Sequence, residues 1–462
     1  MKFDKALLFL SVVACPLLAA PAPDFDAAAK EAVPLLQTYL RINTTNPPGH
    51  ERKAAEFFKA IFDREGIENE IYDQGDDRAD ILARLPGNGR KRPLILLNHM
   101  DVVPAEAARW KVPPFSGELK DGYIWGRGAT DMKGTAICQL MTVLLLKRSG
   151  AKLDRDVIFL GTADEEEGTS HNGVHWMLEN AKEKLRNAEF VLTEGNTLSV
   201  ENGKTTAWNV DVTEKSILWL KMIATGKAGH ASIPEPEGAV AHLVRAVNRI
   251  LSFEPPVRLI PAVEAYFKQL SRSAPDDLKP LLSDPSAALN DPVSRKKLLE
   301  DPFRNACLRE TISVTGLSGS SKVNVIPGEA TATLDVRLLP GDKVDEFLAT
   351  LKSVAGDPSI RFEVISSGIA TESSTDSELF RAIGRARDRL EPGVPILTPP
   401  LTSTTDSSLL RQAGLVAYGF EPFHLAEDDD HSHGDNERIS PENIRFGLEV
   451  THFVVSDVAG AR

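Results

Sequence analysis

The chain has 462 residues, 42% of them hydrophobic and 26% charged, with a formal net charge of −13. The length exceeds one ordinary core, and the composition excludes a disordered or membrane-embedded chain. The acidity argues against nucleic acid as a partner, since phosphate binding needs a basic face.

Taken in chain order, the first residues read as an export signal spanning 1–20. Lys2 and Lys5 precede an apolar run at 6–14, and small residues at Ala19 and Ala20 precede Pro21. The run is too short for a membrane span. The expected location is exported, periplasmic or secreted. Val12-Val13-Ala14-Cys15 also matches a bacterial lipoprotein box, and lipidation of Cys15 would anchor the chain to a membrane. Cleavage near Ala20 is the preferred reading. Cys138 and Cys307 then remain, too few and too far apart for a disulfide scaffold. Cys138 lies in an apolar stretch and is expected to be buried.

Residues 93–97 form a short apolar run, read as a buried strand that ends at Asn98-His99. Residues 132–147 have helical spacing. Strands follow at 156–161 and 189–193. Strands alternating with helices predict an α/β fold, a sheet flanked by helices on both faces. The texture changes near Val212. A strand from 216, a helix at 239–251, strands at 310–316 and 330–338, a helix at 346–354 and a strand at 360–365 follow in turn. That β-α-β-β-α-β order predicts an inserted ferredoxin-like α+β module. The Pro-punctuated stretch 254–305 is read as extra helices. From 374 the α/β character returns, with helices at 377–390 and 441–455 and a helix end and strand within 409–420. The expected division is 1–20, 21–213, 214–372 for the inserted module, and 373–462.

Histidines and carboxylates recur at the strand ends, where open α/β sheets carry functional loops. In His99-Met100-Asp101, residues two apart face the same way, so the Asp101 carboxylate is placed to fix the tautomer of His99. A polar turn would look the same. Asp131 sits at the mouth of a helix among glycines, as a metal bridge or as a helix N-cap. Asp164-Glu165-Glu166-Glu167 gathers carboxylates that repel one another unless a cation sits there, or it is an exposed acidic turn. Glu194 ends the third strand in a similar way. His433 stands in a polar loop, with His431 and His424 as competitors. Together these give a His, Asp, Glu, Glu, His set suited to a pair of zinc ions.

The motifs in their order resemble one family: HMD at 99–101, GRGATDMKG at 126–134, DEEEG at 164–168, TEG at 193–195, GHAS at 229–232, NVIP at 324–327, DVR at 335–337 and HGDNER at 433–438. The chain resembles the zinc-dependent aminoacylase, carboxypeptidase G and succinyl-diaminopimelate desuccinylase family, nearest the branch that includes carboxypeptidase S. The resemblance implies a mixed-sheet, di-zinc exopeptidase-like catalytic domain, interrupted by a lid and dimerisation domain. It implies Zn2+, two per subunit, with His99 and Glu194 on one ion, Glu166 and His433 on the other, and Asp131 bridging. Asp101 would orient His99 and Glu165 would be the general base. Asp131–Met132 would be a cis peptide. His230 would reach the active site of the partner in a homodimer, and Asn324 and Arg337 would hold the substrate's carbonyl and carboxylate.

The implied activity is cleavage of an amide bond beside a free carboxylate, in a small peptide or an N-acyl amino acid. A zinc aminopeptidase or dipeptidase is the second reading, and a metal-stabilised binding protein without catalysis the third. The chain departs from the family at Thr405-Asp406, which Ser407 and Ser408 follow where many relatives carry an arginine two residues after the aspartate.

Overall fold

The computed structural model describes residues 23–167, 172–185, 187–426, 429 and 431–462. The export segment 1–20 with Cys15, Gly168 of the acidic cluster, and three residues of the acidic run 427–430 lie outside the described residues.

The chain opens with helix α1 (Phe25–Leu40), capped by Asp24, whose carboxylate accepts the N–H of Asp26 and Ala27. An antiparallel pair follows, β1 (Glu68–Gly75) and β2 (Arg78–Leu85). Strand β3 (Leu94–His99) leads to helix α2 (Lys133–Arg148), then β4 (Val157–Thr162) and β5 (Phe190–Thr193). The inserted module contributes β6 (Ser216–Thr225), α3 (Ala239–Leu251), β7 (Thr311–Ser318), β8 (Glu329–Leu338), α4 (Val344–Ala355) and β9 (Ile360–Ser367). The main module resumes through α5 (Ser407–Gln412), β10 (Val416–Gly419) and α6 (Pro441–Ala459).

The main sheet is mixed, in the order β1-β2-β4-β3-β5-β10, with β4, β3, β5 and β10 mutually parallel. Both faces of β3 are buried because its apolar run is continuous. Leu94 and Leu96 enter the core shared with α1, α2 and α6, while Ile95 and Leu97 enter the core on the opposite face. The helices on both sides account for the doubly covered α/β sheet read from the sequence. Because these strands are parallel, their C-terminal ends and the loops that follow open at one edge of the sheet, which carries His99 as the last residue of β3 and Glu165, Glu166 and Glu194 in the loops after β4 and β5.

The module sheet is antiparallel in the order β7-β8-β6-β9, the ferredoxin-like arrangement. Strand β8 alternates, with Ala330, Ala332, Leu334, Val336 and Leu338 buried. Helix α3 answers with Leu243, Ala246, Val247 and Ile250, the spacing of one helical face. The stretch between α3 and β7 is helical, as read. Three of its short helices begin at an Asp-Pro pair, where Asp284, Asp291 or Asp301 accepts an N–H two residues past the proline. Among the described residues no helix is long and apolar enough to cross a membrane.

Candidate active site

Five side chains meet at the edge of the main sheet. His99 Nε2 lies 3.1 Å from Asp131 Oδ1 and 3.3 Å from Glu194 Oε2. His433 Nε2 lies 3.0 Å from Asp131 Oδ2 and 3.1 Å from Glu166 Oε2. Ligand atoms of His99, Asp131 and Glu166 lie within 4.8 Å of one another, and so do those of His99, Glu165 and Glu194. His424, a competitor in sequence, is engaged elsewhere, 3.1 Å from Glu391.

The electrostatics are those of a cation site. Burial alone would push the His99 imidazole down, yet Glu194, Asp101 and Asp131 hold it well above its ordinary value. Hydrogen bonds to Asp131 and Glu166 raise His433 to about 10. Burial pushes Glu194 up to about 7. Burial and the charge of Glu194 raise Glu165 well above the usual carboxylate range. Glu165, Glu166 and Glu194 shift upward together, while His433 and His99 hold Asp131 below its ordinary range despite its burial; crowded carboxylates facing two imidazole nitrogens are the donor set of divalent ions competing with protons. One buried atom, Glu166 Oε1, has no hydrogen-bond partner, as expected of an oxygen that awaits a ligand. The residues fit a metal pair on this chemistry.

Asp131 is held by its backbone. Glu437, fully buried, accepts the N–H of Gly128 at 2.9 Å, of Thr130 at 2.8 Å and of Asp131 at 3.1 Å. It also accepts the Thr130 hydroxyl at 2.9 Å and Arg127 Nη1 at 2.7 Å. Gly128 has φ +87°, and a Cβ there would meet the Val102 side chain at 2.8 Å, so the turn requires glycine. The Asp131–Met132 peptide is cis. The helix begins only at Lys133, after Met132 as N-cap residue, so Asp131 is no N-cap.

Asp101 does more than face His99. The nearest atom of Asp101 to His99 Nδ1 is the backbone carbonyl oxygen, at 3.1 Å, with the carboxylate at 3.5 Å. The carboxylate accepts the N–H of Glu165 at 3.2 Å, the N–H of Glu166 at 3.1 Å and Asn46 Nδ2 at 2.8 Å. It thereby places both glutamates. Asp164, at φ +60°, forms the turn before them. Its carboxylate accepts from Asn46 Nδ2 at 2.7 Å and Arg78 Nη1 at 2.8 Å. Asn46 and Arg78 are absent from the sequence reading, and Glu437 enters it only as part of HGDNER, without this role. The turn-former Asn46-Pro47-Pro48-Gly49 and the glutamate of HGDNER were the available signals.

The residues expected from the inserted module have other partners. His230 is exposed on a two-residue bridge with Val325 and Ile326, its Nδ1 2.7 Å from Ser232 Oγ. Asn324 is exposed, and its carbonyl accepts the N–H of Ala231 at 3.1 Å. Arg337, on β8, forms a fork with Asp335 at 2.7 and 3.0 Å. Among the described contacts of a single chain, none of the three bonds to the five ligand candidates. Ser408 is buried and donates to the Ile369 carbonyl at 3.0 Å. Cys138 and Cys307 are both buried and unpaired.

Comparison with known proteins bears on this arrangement. The model of peptidase family M20/M25/M40 matches residues 95–457. The N-fatty-acyl-amino acid synthase/hydrolase PM20D1 of Xenopus tropicalis is 32% identical over 363 residues, 77% of this chain and 70% of that protein. The probable carboxypeptidase S-like 2 of Dictyostelium discoideum is 30% identical over 375 residues, 79% of this chain and 72% of its own length. Among solved structures, the M20 family metallo-carboxypeptidase Sso-CP2 from Sulfolobus solfataricus superposes with a TM-score of 0.71 at 19% identity, covering 93% of this chain and 99% of that one.

Proposed function

The chain belongs to peptidase family M20/M25/M40, and from that premise we propose that it is a two-zinc hydrolase cutting an amide bond beside a free carboxylate, as an aminoacylase or carboxypeptidase does. That it is a metal-dependent hydrolase of amide C–N bonds follows from the family. One observation carries the finer reading: the two oxygens of Asp131 face two different histidines, each with its own glutamate. A single ion needs no such symmetric pair.

In this reading His99 and Glu194 would hold one ion, Glu166 and His433 would hold the other, and Asp131 would serve both. When bound, the ions supply Lewis acidity and lower the pKa of a water. Glu165 is the proton carrier. Its backbone N–H is fixed on Asp101, and its carboxylate clusters with His99 and Glu194 without being needed as a ligand. It takes a proton from the attacking water and returns it to the leaving nitrogen.

The inserted module would supply the rest. Arg337 offers a planar fork to the substrate's carboxylate, replacing Asp335 as its partner. Asn324 would hold the carbonyl. His230 would stabilise the developing oxyanion in the active site of a homodimer partner. Its exposure, and its bond to Ser232 rather than to the described cluster of its own chain, support that assignment. N-acyl amino acids are the leading substrate class, in line with the activity for which the PM20D1 relative is named. The charged start and apolar run of residues 1–20 support export.

The test pairs free-acid and amidated forms of N-acyl amino acids and dipeptides, offered to zinc-loaded protein. Turnover of the acids alone, abolished by a chelator and restored by two equivalents of zinc, is expected. Equal cleavage of the amides would remove Arg337 and the free carboxylate from the reading.

A further inference from the structure

The chain passes between the main and inserted modules twice, at residues 211–216 and 367–373, and the two crossings run side by side. Ser373 donates its N–H to the Val212 carbonyl at 2.7 Å, and Thr213 Oγ1 donates to the Thr371 carbonyl at 3.2 Å. Two adjacent crossings of this kind ordinarily make a hinge. Here one guanidinium holds both. Arg411, on α5, donates from Nη1 to Glu214 at 2.9 Å and from Nη2 to the Asp211 carbonyl at 3.3 Å. Its Nε donates to Ser373 Oγ at 3.2 Å on the return crossing. Nη2 also reaches the Ala417 carbonyl of β10 at 2.9 Å, which ties the crossings to the main sheet. Glu214 further accepts the N–H and hydroxyl of Thr405 at 3.0 and 2.9 Å.

The next residue turns the opposite way. Lys215 is 1% exposed. Its Nζ donates to the carbonyls of Ala306 and Arg309 at 3.1 and 2.9 Å, and to Thr311 Oγ1 at 3.1 Å. Burying charged groups is costly unless their hydrogen-bonding capacity is met. Glu214 meets its capacity in the main module, and Lys215 does so at the end of the helical stretch that precedes β7.

That stretch lies within the inserted module in sequence but packs on the main module in space. Its core of Val263, Phe267, Leu282 and Leu298 includes Ala207 and Leu397, from main-module strands Lys204–Asn209 and Ile396–Leu397. Gln269 Oε1 accepts the N–H and hydroxyl of Thr398 at 2.9 and 3.2 Å. The core beneath the module sheet is a separate cluster. The stretch is therefore a third attachment, and rotation about two crossings is blocked by a third point off their axis.

We propose that residues 254–308 are a brace that locks the inserted module at one orientation to the main module, with Arg411, Glu214 and Lys215 as positioning residues. The module does not swing between open and closed positions in this chain.

Nitroxide labels on Glu56→Cys in the main module and Ser353→Cys on α4 report the angle between modules by pulsed electron resonance. Both positions are exposed, and the native Cys138 and Cys307 are buried. Cys15→Ser removes the remaining thiol, and excess unlabelled chain suppresses distances between subunits. The unmodified hinge is expected to give one narrow distance, identical after chelation, after zinc loading, and after zinc with an N-acetyl amino acid. Gln269→Ala, Lys215→Met and Arg411→Lys should each broaden or split that distance. A distance that shifts on ligand addition overturns the brace, as does a folded Gln269→Ala protein with an unchanged distribution. Should Lys215→Met fail to fold by circular dichroism, Gln269→Ala, which deletes only the Thr398 contacts, still decides.

Discussion

Glu437 grips Asp131 by its backbone: the Glu437 carboxylate accepts the Asp131 N–H at 3.1 Å, four residues along the chain from His433. One buried side chain thus joins the loop of Asp131 to the loop of His433. Glu437→Gln keeps the shape but turns one acceptor into a donor facing N–H groups. Support of this kind typically contributes about 10–100-fold to metal affinity. Zinc titration of the variant should show a loss of that order, with the Glu165→Gln protein as a control that binds normally. Undiminished affinity would make Glu437 a purely structural residue.

The proposed roles separate Glu165 from the ligands. Glu165→Ala should retain its zinc, measured by elemental analysis, and its melting temperature. Its kcat should fall by about 10²–10⁴-fold, the usual contribution of a positioned acid–base group. Loss of zinc in parallel with activity would turn Glu165 into a ligand.

The metal-free protein should show the proton that stands in for the ion. His433 in the chelated fold titrates at about 10, above its ordinary value, because of Asp131 and Glu166. A raised folded-state pKa contributes stability that is present below the unfolded value of about 6.5 and is lost as pH rises toward 10. The melting temperature of the chelated wild type should therefore fall, relative to His433→Asn, as pH climbs from 7 to 10. The effect should be small, since the His433 side chain is 57% exposed. Parallel curves for the two proteins would deny the contact.

Arg78 neutralises the turn that aims the glutamates. Its guanidinium meets Asp164 at 2.8 Å and Glu51 at 3.3 Å, and both carboxylates are fully buried at their side chains. Breaking a buried pair by removing one partner costs about 3–5 kcal/mol. Arg78→Met should lower the denaturant midpoint accordingly. The added Asp164→Asn substitution should recover part of the loss, and its failure to do so would exclude charge as the cause.

His230 is testable by mixing. If it serves the partner's site in a two-fold dimer, inactive Glu165→Ala and His230→Ala chains combined by random exchange should regain roughly a quarter of the wild-type activity. One site of each hybrid dimer then has an intact Glu165 and an intact His230. A mixture that stays inactive would confine His230 to its own chain.

Much of this protein is set by local sequence. The run at β3 names a strand buried on both faces, the i, i+3, i+4, i+7 spacing of α3 names an amphipathic helix, and histidines and carboxylates at strand ends name a site. These signals depend on neighbours a few residues apart, so they survive in one dimension. Tertiary structure alone decided what depends on partners hundreds of residues distant. It set Glu437 beneath Asp131, placed Asn46 and Arg78 behind the turn that carries Glu165 and Glu166, and turned Glu214 and Lys215 in opposite directions. A buried charge takes its role from whichever donors and acceptors the fold brings to it, and no periodicity records that choice.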